Sequence, residues 1–198
     1  MEYEPCRSKD IMPILIDQHY LHRRCPCSHA FKATDSTGNI VAALSFGTPP
    51  SRHMQKSICP ENPSLCLELN RLWVRDDQPR NTASKFVSWA LRQLPPLLIA
   101  SYADTKQGHQ GYVYRALNFN YAGWTDMDRK TPRFDYVVEG KHSRDAFRSG
   151  KYTRVRRQPK IKYWIATGSK TDKKRLSKLC GWLRLSWKTT PPPGGTVK

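Results

Sequence analysis

The sequence predicts an α/β fold with a mixed central sheet, a bulged central strand and a basic C-terminal extension, and three observations predict it. First, Leu65, Leu67 and Leu69 alternate on one face of a strand over residues 65–74, after which Leu72 and Val74 continue in the opposite phase. One extra residue near Asn70-Arg71 restores a single apolar face, which is what a β-bulge supplies; a strand buried on both faces would read the same way. Second, residues 82–94 place Phe86, Val87, Ala90, Leu91 and Leu94 on one helical face and end at Pro95-Pro96, and residues 97–103 follow as a continuous apolar run. A strand, an amphipathic helix and an interior strand in that order form a parallel crossover unit. Third, residues 1–128 hold 14 Lys and Arg against 12 Asp and Glu, whereas residues 129–198 hold 20 against 4. The net charge of +18 is therefore almost wholly C-terminal, the footprint of a polyanion-binding surface.

The remaining elements follow in chain order. Residues 9–20 carry Ile11, Ile14, Leu15 and Ile16 after Ser8, a short capped helix. Residues 30–34 and 39–46 are apolar runs joined by Asp35-Ser-Thr-Gly38, a hairpin. Residues 48–63, rich in Pro and Ser, read as a loop, and residues 75–81 as a second, polar one. Asp104 stands at the end of the apolar run, and residues 110–117 form a helix. Residues 119–124 and 133–138 read as a final pair of strands turning at 126–131. The basic remainder holds a strand at 162–166 and a helix at 170–179, and residues 189–198, with Pro-Pro-Pro-Gly-Gly, read as a disordered tail. The expected domains are a catalytic unit over 1–140, a basic nucleic-acid-binding extension over 141–188, and the tail.

Composition narrows the function classes. A hydrophobic content of 38% supports one modest core. No run approaches a membrane span, and the acidic, polar N-terminus predicts no secretory signal. The six cysteines are expected as thiols in a reducing, cytoplasmic setting. His22-Arg-Arg-Cys-Pro-Cys-Ser-His29 offers soft ligands, but its C-x-C spacing is not that of common zinc sites, so no metal ligands are assigned. Tyr152, Tyr163, Trp164, Trp182 and Trp187 interleave the C-terminal charges, which suits nucleic acid better than a membrane surface.

The order α, β, β, β, α, β, α, β, β with a bulged central strand resembles the GNAT acyltransferase fold, in which the bulge splays two strands to make an acyl-donor cleft. Longer segments are more specific. Glu68-Leu-Asn-Arg-Leu-Trp-Val74, Pro79-Arg-Asn-Thr82, Ser101-Tyr-Ala-Asp104, Gly108-His-Gln-Gly-Tyr-Val-Tyr114 and Asn118-Phe-Asn-Tyr-Ala-Gly-Trp124 closely resemble the Mom family of bacteriophage DNA-modification proteins, GNAT relatives, over roughly residues 10–170. That resemblance implies conversion of adenine in phage DNA to N6-carbamoylmethyladenine, which protects the genome from host restriction. It also implies roles for His19, Tyr20, Asp104 and Tyr114 in catalysis and for Arg71 and Ser84 in donor binding. It implies iron as well, at a site based on His19 with no further ligands assigned.

Each position also has a plainer reading. Asp104 could cap a helix; Arg71 could pair with Glu68 or Asp104; Tyr114 could be a core tyrosine. Ser84 could simply cap its helix, and His19 and Tyr20 could lie on the surface. The loop Gln78-Pro-Arg-Asn-Thr-Ala83 departs from the Gly-rich pyrophosphate loop of coenzyme A enzymes, with Asn81 where Gly is expected. Asn tolerates the left-handed conformation, so an anion nest survives while coenzyme A as donor is weakened.

The expected substrate is double-stranded DNA with a flipped adenine, with Tyr112, Tyr114, Tyr121 and Trp124 as candidate stacking partners. The expected donor is activated glycine, with glycyl-tRNA favoured over acetyl-coenzyme A because a carbamoylmethyl group needs a nitrogen that acetyl lacks. Two alternatives are a GNAT acyltransferase acting on a protein or small amine, against which the basic C-terminal third argues, and a non-catalytic nucleic-acid-binding protein. The latter gives Asp104 no role; an enzyme gives dead chemistry with intact DNA binding in Asp104→Ala.

Overall fold

The phase slip in the fourth strand is a bulge, and the sheet is organised around it. The computed structural model describes residues 1–126, 130–138 and 143–186. Strand β3 (Ile40–Gly47) pairs antiparallel with β4 (Cys66–Val74), with Ser45 opposite Arg71 and Phe46 opposite Leu69, so Asn70 is the extra residue. The Asn70 side chain is used: Oδ1 accepts from the Ser45 hydroxyl at 2.7 Å and Nδ2 donates to the Pro26 carbonyl at 2.7 Å. On the other side, β4 runs parallel to β5 (Leu98–Asp104) for three pairs, ending at Glu68 opposite Ala100. Beyond that point the Leu69 carbonyl is taken by the Ser101 hydroxyl at 3.0 Å, so a side chain replaces the ladder.

The full sheet has seven strands in the order β1-β2-β3-β4-β5-β9-β6, antiparallel except at β4–β5. Here β1 is Glu2–Cys6, β2 His29–Thr34, β6 Asn120–Trp124 and β9 Lys160–Ala166. Alternation along β5 sends Ile99, Ser101 and Ala103 to one face and Leu98, Ala100, Tyr102 and Asp104 to the other. Helix α3 (Thr82–Gln93) buries Phe86, Val87 and Ala90 against Ile99, Phe46 and Leu69, with the short α4 (Tyr112–Ala116) beside it. The opposite face is covered by α1 (Ser8–Gln18) over Ala30, Ala43 and Trp73, and by α2 (Arg52–Ile58) and α6 (Lys170–Leu179), whose Ile58 and Leu176 pack on Leu98 and Ala100.

Several expectations are corrected. Strand β1 was not anticipated, because a half-exposed edge strand reading Glu-Tyr-Glu-Pro-Cys has no apolar pattern; it is held by five pairs to β2 and by Tyr3 against the Phe86 ring at 5.3 Å. Helix α2 lies inside the expected loop at 48–63; Ser51 caps it through Met54 N–H at 3.2 Å, and Ile58 is its one buried residue, too little for a periodic signal. The expected pairing of residues 119–124 with 133–138 does not occur. Strand β6 pairs with β9, while β7 (Phe134–Val137) pairs with β8 (Thr153–Arg156) in a separate two-stranded sheet carrying α5 (Ser143–Arg148).

The strand expected at 162–166 joins the same sheet as the strands before residue 140. Strand β9 is an inner strand, paired to β5 from Leu98–Ala166 to Asp104–Lys160 and to β6 on its other side. Ile161, Tyr163, Trp164 and Ala166 are all at most 5% exposed. Lys160 and Lys162 disguised a strand buried on both faces as part of a basic extension. A chain ending at residue 158 would lose this strand and open two sheet edges. It is expected to show no cooperative thermal transition by circular dichroism; a soluble, cooperatively melting 1–158 fragment would contradict this topology. The expected tail lies outside the described residues, as does part of the turn at 126–131.

One glycine sets the approach of α4. Gly111 has φ +78°, and a Cβ there would meet the buried Tyr163 ring at 2.4 Å. Gly111→Ala is expected to cost about 2–4 kcal/mol, from left-handed strain and overpacking together. Chemical denaturation measures this; a loss below about 1 kcal/mol would mean the ring moves freely.

Candidate functional site

The bulge and the splay place one set of polar groups on the α1 face of the sheet. Because Ser45 faces Arg71 and Gly47 faces Glu68, both Arg71 and Glu68 project to this face, as do Tyr102 and Asp104 from β5. Above them runs the segment that follows α1. His22 N–H donates to the His19 carbonyl at 2.8 Å, the Pro26 carbonyl is tied to Asn70, and Ser28 N–H reaches the Phe46 carbonyl at 2.7 Å. Gly47 permits this: a Cβ there would lie 2.0 Å from the Pro26 oxygen. The segment thus lays His19 and Tyr20 beside Arg71 and Asp104, with their rings stacked at 4.3 Å and Tyr20 edge-on to His109 at 5.7 Å.

Arg71 is the most unusual group. It is 8% exposed; its Nη1 donates to the Asn70 carbonyl at 2.6 Å, and its Nε is buried with no hydrogen-bond partner. Among the described residues no carboxylate lies within ion-pair distance of it, so pairing with Glu68 or Asp104 is not its role. Burial pulls its pKa down, as expected of a desolvated cation. Glu68, at the last rung before the splay, is pushed up to about 7 by burial, against the opposing pull of Arg71 and Lys160. Its carboxyl therefore exchanges a proton near neutrality.

Asp104 is 7% exposed and bound on both sides, by Lys106 N–H at 3.2 Å and by Lys160 Nζ at 2.6 Å. Burial, with help from the Arg71 charge, lowers His19 to about 4. Its ring is neutral, and since Nδ1 accepts from Leu21 N–H at 3.2 Å the proton sits on Nε2. Burial, then Asp104, raises the Tyr20 phenol.

Tyr114 approaches from the other side of the sheet. Its hydroxyl lies 2.8 Å from Ser101 Oγ. Ser101 has one proton, so when it serves the Leu69 carbonyl the Tyr114 hydroxyl donates to Ser101. Burial raises this phenol also, keeping it a donor. Ser101, with the Tyr114 hydroxyl behind it, thus touches β4 from beneath at Leu69, between Glu68 and Arg71 on the other face.

Of the anticipated donor-side residues, Arg71 lies at the splay, whereas Asn81 and Ser84 form a separate neighbourhood at α3. Asn81 takes the left-handed conformation, φ 68° and ψ 8°, at the start of α3, and Ser84 Oγ donates back to its carbonyl at 3.0 Å. Ser84, Lys85, Ser88, Arg92, Ala116 and Leu117 line most of an open depression of about 460 Å³ between α3 and α4. Of the anticipated stacking rings, Tyr121 is 6% exposed and packs with Tyr163, so it is closed to a base; Tyr112 is 67% exposed. Among the described residues no three His, Cys, Asp or Glu side chains stand in metal-binding geometry. Cys25 instead contacts Ser45 Oγ at 3.4 Å and Cys27 the His29 carbonyl at 3.6 Å, while His19, the residue implied for iron, accepts from Leu21 N–H at Nδ1. No described helix is long and apolar enough to cross a membrane.

The model of the Mom protein family matches residues 1–180. This chain belongs to the Mom family. Methylcarbamoylase mom of Escherichia phage Mu is 31% identical over 116 residues, covering 56% of this chain and 48% of that protein, so the chain spans about half the length of this Mom relative. A putative acetyltransferase from Acinetobacter baylyi ADP1 superposes with a TM-score of 0.50 at 12% identity, covering 86% of this chain and 93% of that one. A GNAT-family acetyltransferase from Bacillus cereus gives a TM-score of 0.48 at 15% identity, covering 85% of this chain and 98% of that one. The fold is GNAT-like, and all the residues described above lie within the Mom match. Glu68, Ser101, His109 and Lys160 were not singled out from the sequence as site residues; the one available signal was the bulge, since a carboxylate two residues before it must face the splay.

Proposed function

We propose that this Mom-family chain transfers an activated glycyl group to the exocyclic amine of adenine in DNA, giving an adduct that rearranges to N6-carbamoylmethyladenine. The supporting observation is the meeting at the splay of a proton-exchanging Glu68, a buried guanidinium with an unfilled donor, and a phenol reaching the same point from the opposite face. Two faces give two approaches: adenine enters under His19 and Tyr20, and the donor enters over α3 and α4, where Lys85 and Arg92 receive its phosphates.

The amine is a poor nucleophile because its lone pair is delocalised into the purine. Glu68 takes its proton as the nitrogen bonds to the glycyl carbonyl carbon. Arg71 donates to the developing oxyanion. The ester C–O bond breaks, and Tyr114 protonates the departing ribose oxygen. Asp104 is committed to Lys160, and in this reading the pair positions the target base while Glu68 acts as the base.

Atom counting favours glycine. Replacing one amine hydrogen by CH2-CO-NH2 adds C2H3NO, as does a glycyl group, so the two products are isomers. The free glycine amine can attack the purine carbon through a five-membered ring and expel the original nitrogen as carboxamide, with no redox step. Acetyl-coenzyme A supplies no nitrogen and would attach through its carbonyl. Purified protein, duplex DNA and glycyl-tRNA carrying nitrogen-15 in glycine test this: the label is expected at the ring-attached nitrogen. Label in the carboxamide, or product from acetyl-coenzyme A with no glycine source, would reject it.

A further inference from the structure

The two-stranded sheet lies outside the chemistry above, yet its composition is sharply biased. Residues 143–157 carry six Lys and Arg against one acid. In the β7–β8 ladder Phe134 lies opposite Arg156 and Tyr136 opposite Arg154, so these four share one face, while Asp135 and Arg157 form an ion pair on the other. On the first face the rings of Tyr136, Phe147 and Tyr152 cluster with centroids 4.7 to 5.7 Å apart, and the Arg154 guanidinium lies 3.7 Å over Phe134. A hairpin with one short helix cannot bury such a cluster by itself. Phe147 remains 53% exposed and Tyr152 39%, beside exposed Arg154 and Arg156.

We propose that this arm is a second nucleic-acid contact that grips duplex DNA, with Arg154 and Arg156 on backbone phosphates and the Phe147 and Tyr152 rings against bases unstacked around the target. The charge identifies a polyanion, and exposed rings between phosphate-binding groups identify one whose flat faces can be uncovered. The inference rests on DNA being the substrate, and it gives the flipped base a cause: rings inserted beside it offset the lost stacking.

The test uses the full chain without donor, binding a short duplex across a KCl series by fluorescence anisotropy. Each phosphate contact contributes a slope of about −0.9 to the log–log salt dependence. Arg154→Gln/Arg156→Gln is expected to flatten the slope by about 1.8 and weaken binding on the order of tenfold, equally on all sequences. Because Arg154 stacks on Phe134, Arg156→Gln alone serves as the milder variant, with a change of about 0.9. Phe147→Leu/Tyr152→Leu is expected to keep the slope and lose about tenfold in affinity for a duplex mismatched at its centre relative to a perfect one. An unchanged slope in both arginine variants would overturn the proposal, as would tighter arm-dependent binding to an RNA hairpin than to duplex DNA. Failure here with DNA still modified would leave the transferase reading intact; an arm-dependent slope with no modification would overturn that reading and keep this one.

Discussion

Glu68→Gln is expected to abolish transfer and to make the protein more stable above neutral pH. Loss of the base should lower the rate by about a thousandfold. The stability gain follows from linkage. Burial raises Glu68 from 4.5 to about 7, so between those values the unfolded chain has lost a proton that the folded chain keeps, and stability falls as pH rises. His19 acts in reverse. It is lowered from 6.5 to about 4, so over that window the unfolded chain holds the extra proton and stability rises with pH. In the parent protein the two slopes largely cancel. In Glu68→Gln the His19 slope stands alone, and at pH 8 the variant should exceed the parent by up to about 3 kcal/mol. Denaturant melts at several pH values, paired with activity, measure both effects. A variant that is inactive because it is less stable would assign Glu68 a structural role instead.

Arg71→Met should separate function from stability in a different way. A guanidinium at 8% exposure with a partnerless Nε and no carboxylate at ion-pair distance carries a desolvation cost that no ion pair offsets. Methionine fills the volume without that cost, so the melting temperature is expected to stay or rise. The kcat/KM is expected to fall by about a hundredfold to a thousandfold, the usual consequence of removing one oxyanion donor. An unfolded Arg71→Met, or one with parent-like kcat/KM, would remove Arg71 from the reaction.

The bulge was the feature of the sequence that carried furthest. Because Leu69 and Leu72 differ in phase, the sequence called for an extra residue between them or a strand buried on both faces, and the structure has the extra residue at Asn70. It follows that Arg71 turns to the cleft, and the left-handed turn at Asn81 was legible for a similarly local reason. What stayed hidden depends on pairing between distant segments. Nothing in residues 160–166 says that they lie between β5 and β6, because a strand buried on both faces has no diagnostic alternation and its lysines read as solvent-facing. For that reason Lys160 could not be foreseen as the partner of Asp104. Glu68 was visible as a residue but not as a proton-exchanging group, since its shift comes from packing by elements far away in the chain.

In the proposed reaction, the groups gathered at the splay modify adenine in DNA. Nucleoside mass spectrometry of plasmid DNA from cells expressing the full chain, with Glu68→Gln expressed beside it, measures this. Deoxyadenosine carrying an added C2H3NO is expected in DNA from cells with the parent protein and none in DNA from cells with the variant. Unmodified DNA in both, or an equal yield of modified adenine from Glu68→Gln, would contradict it.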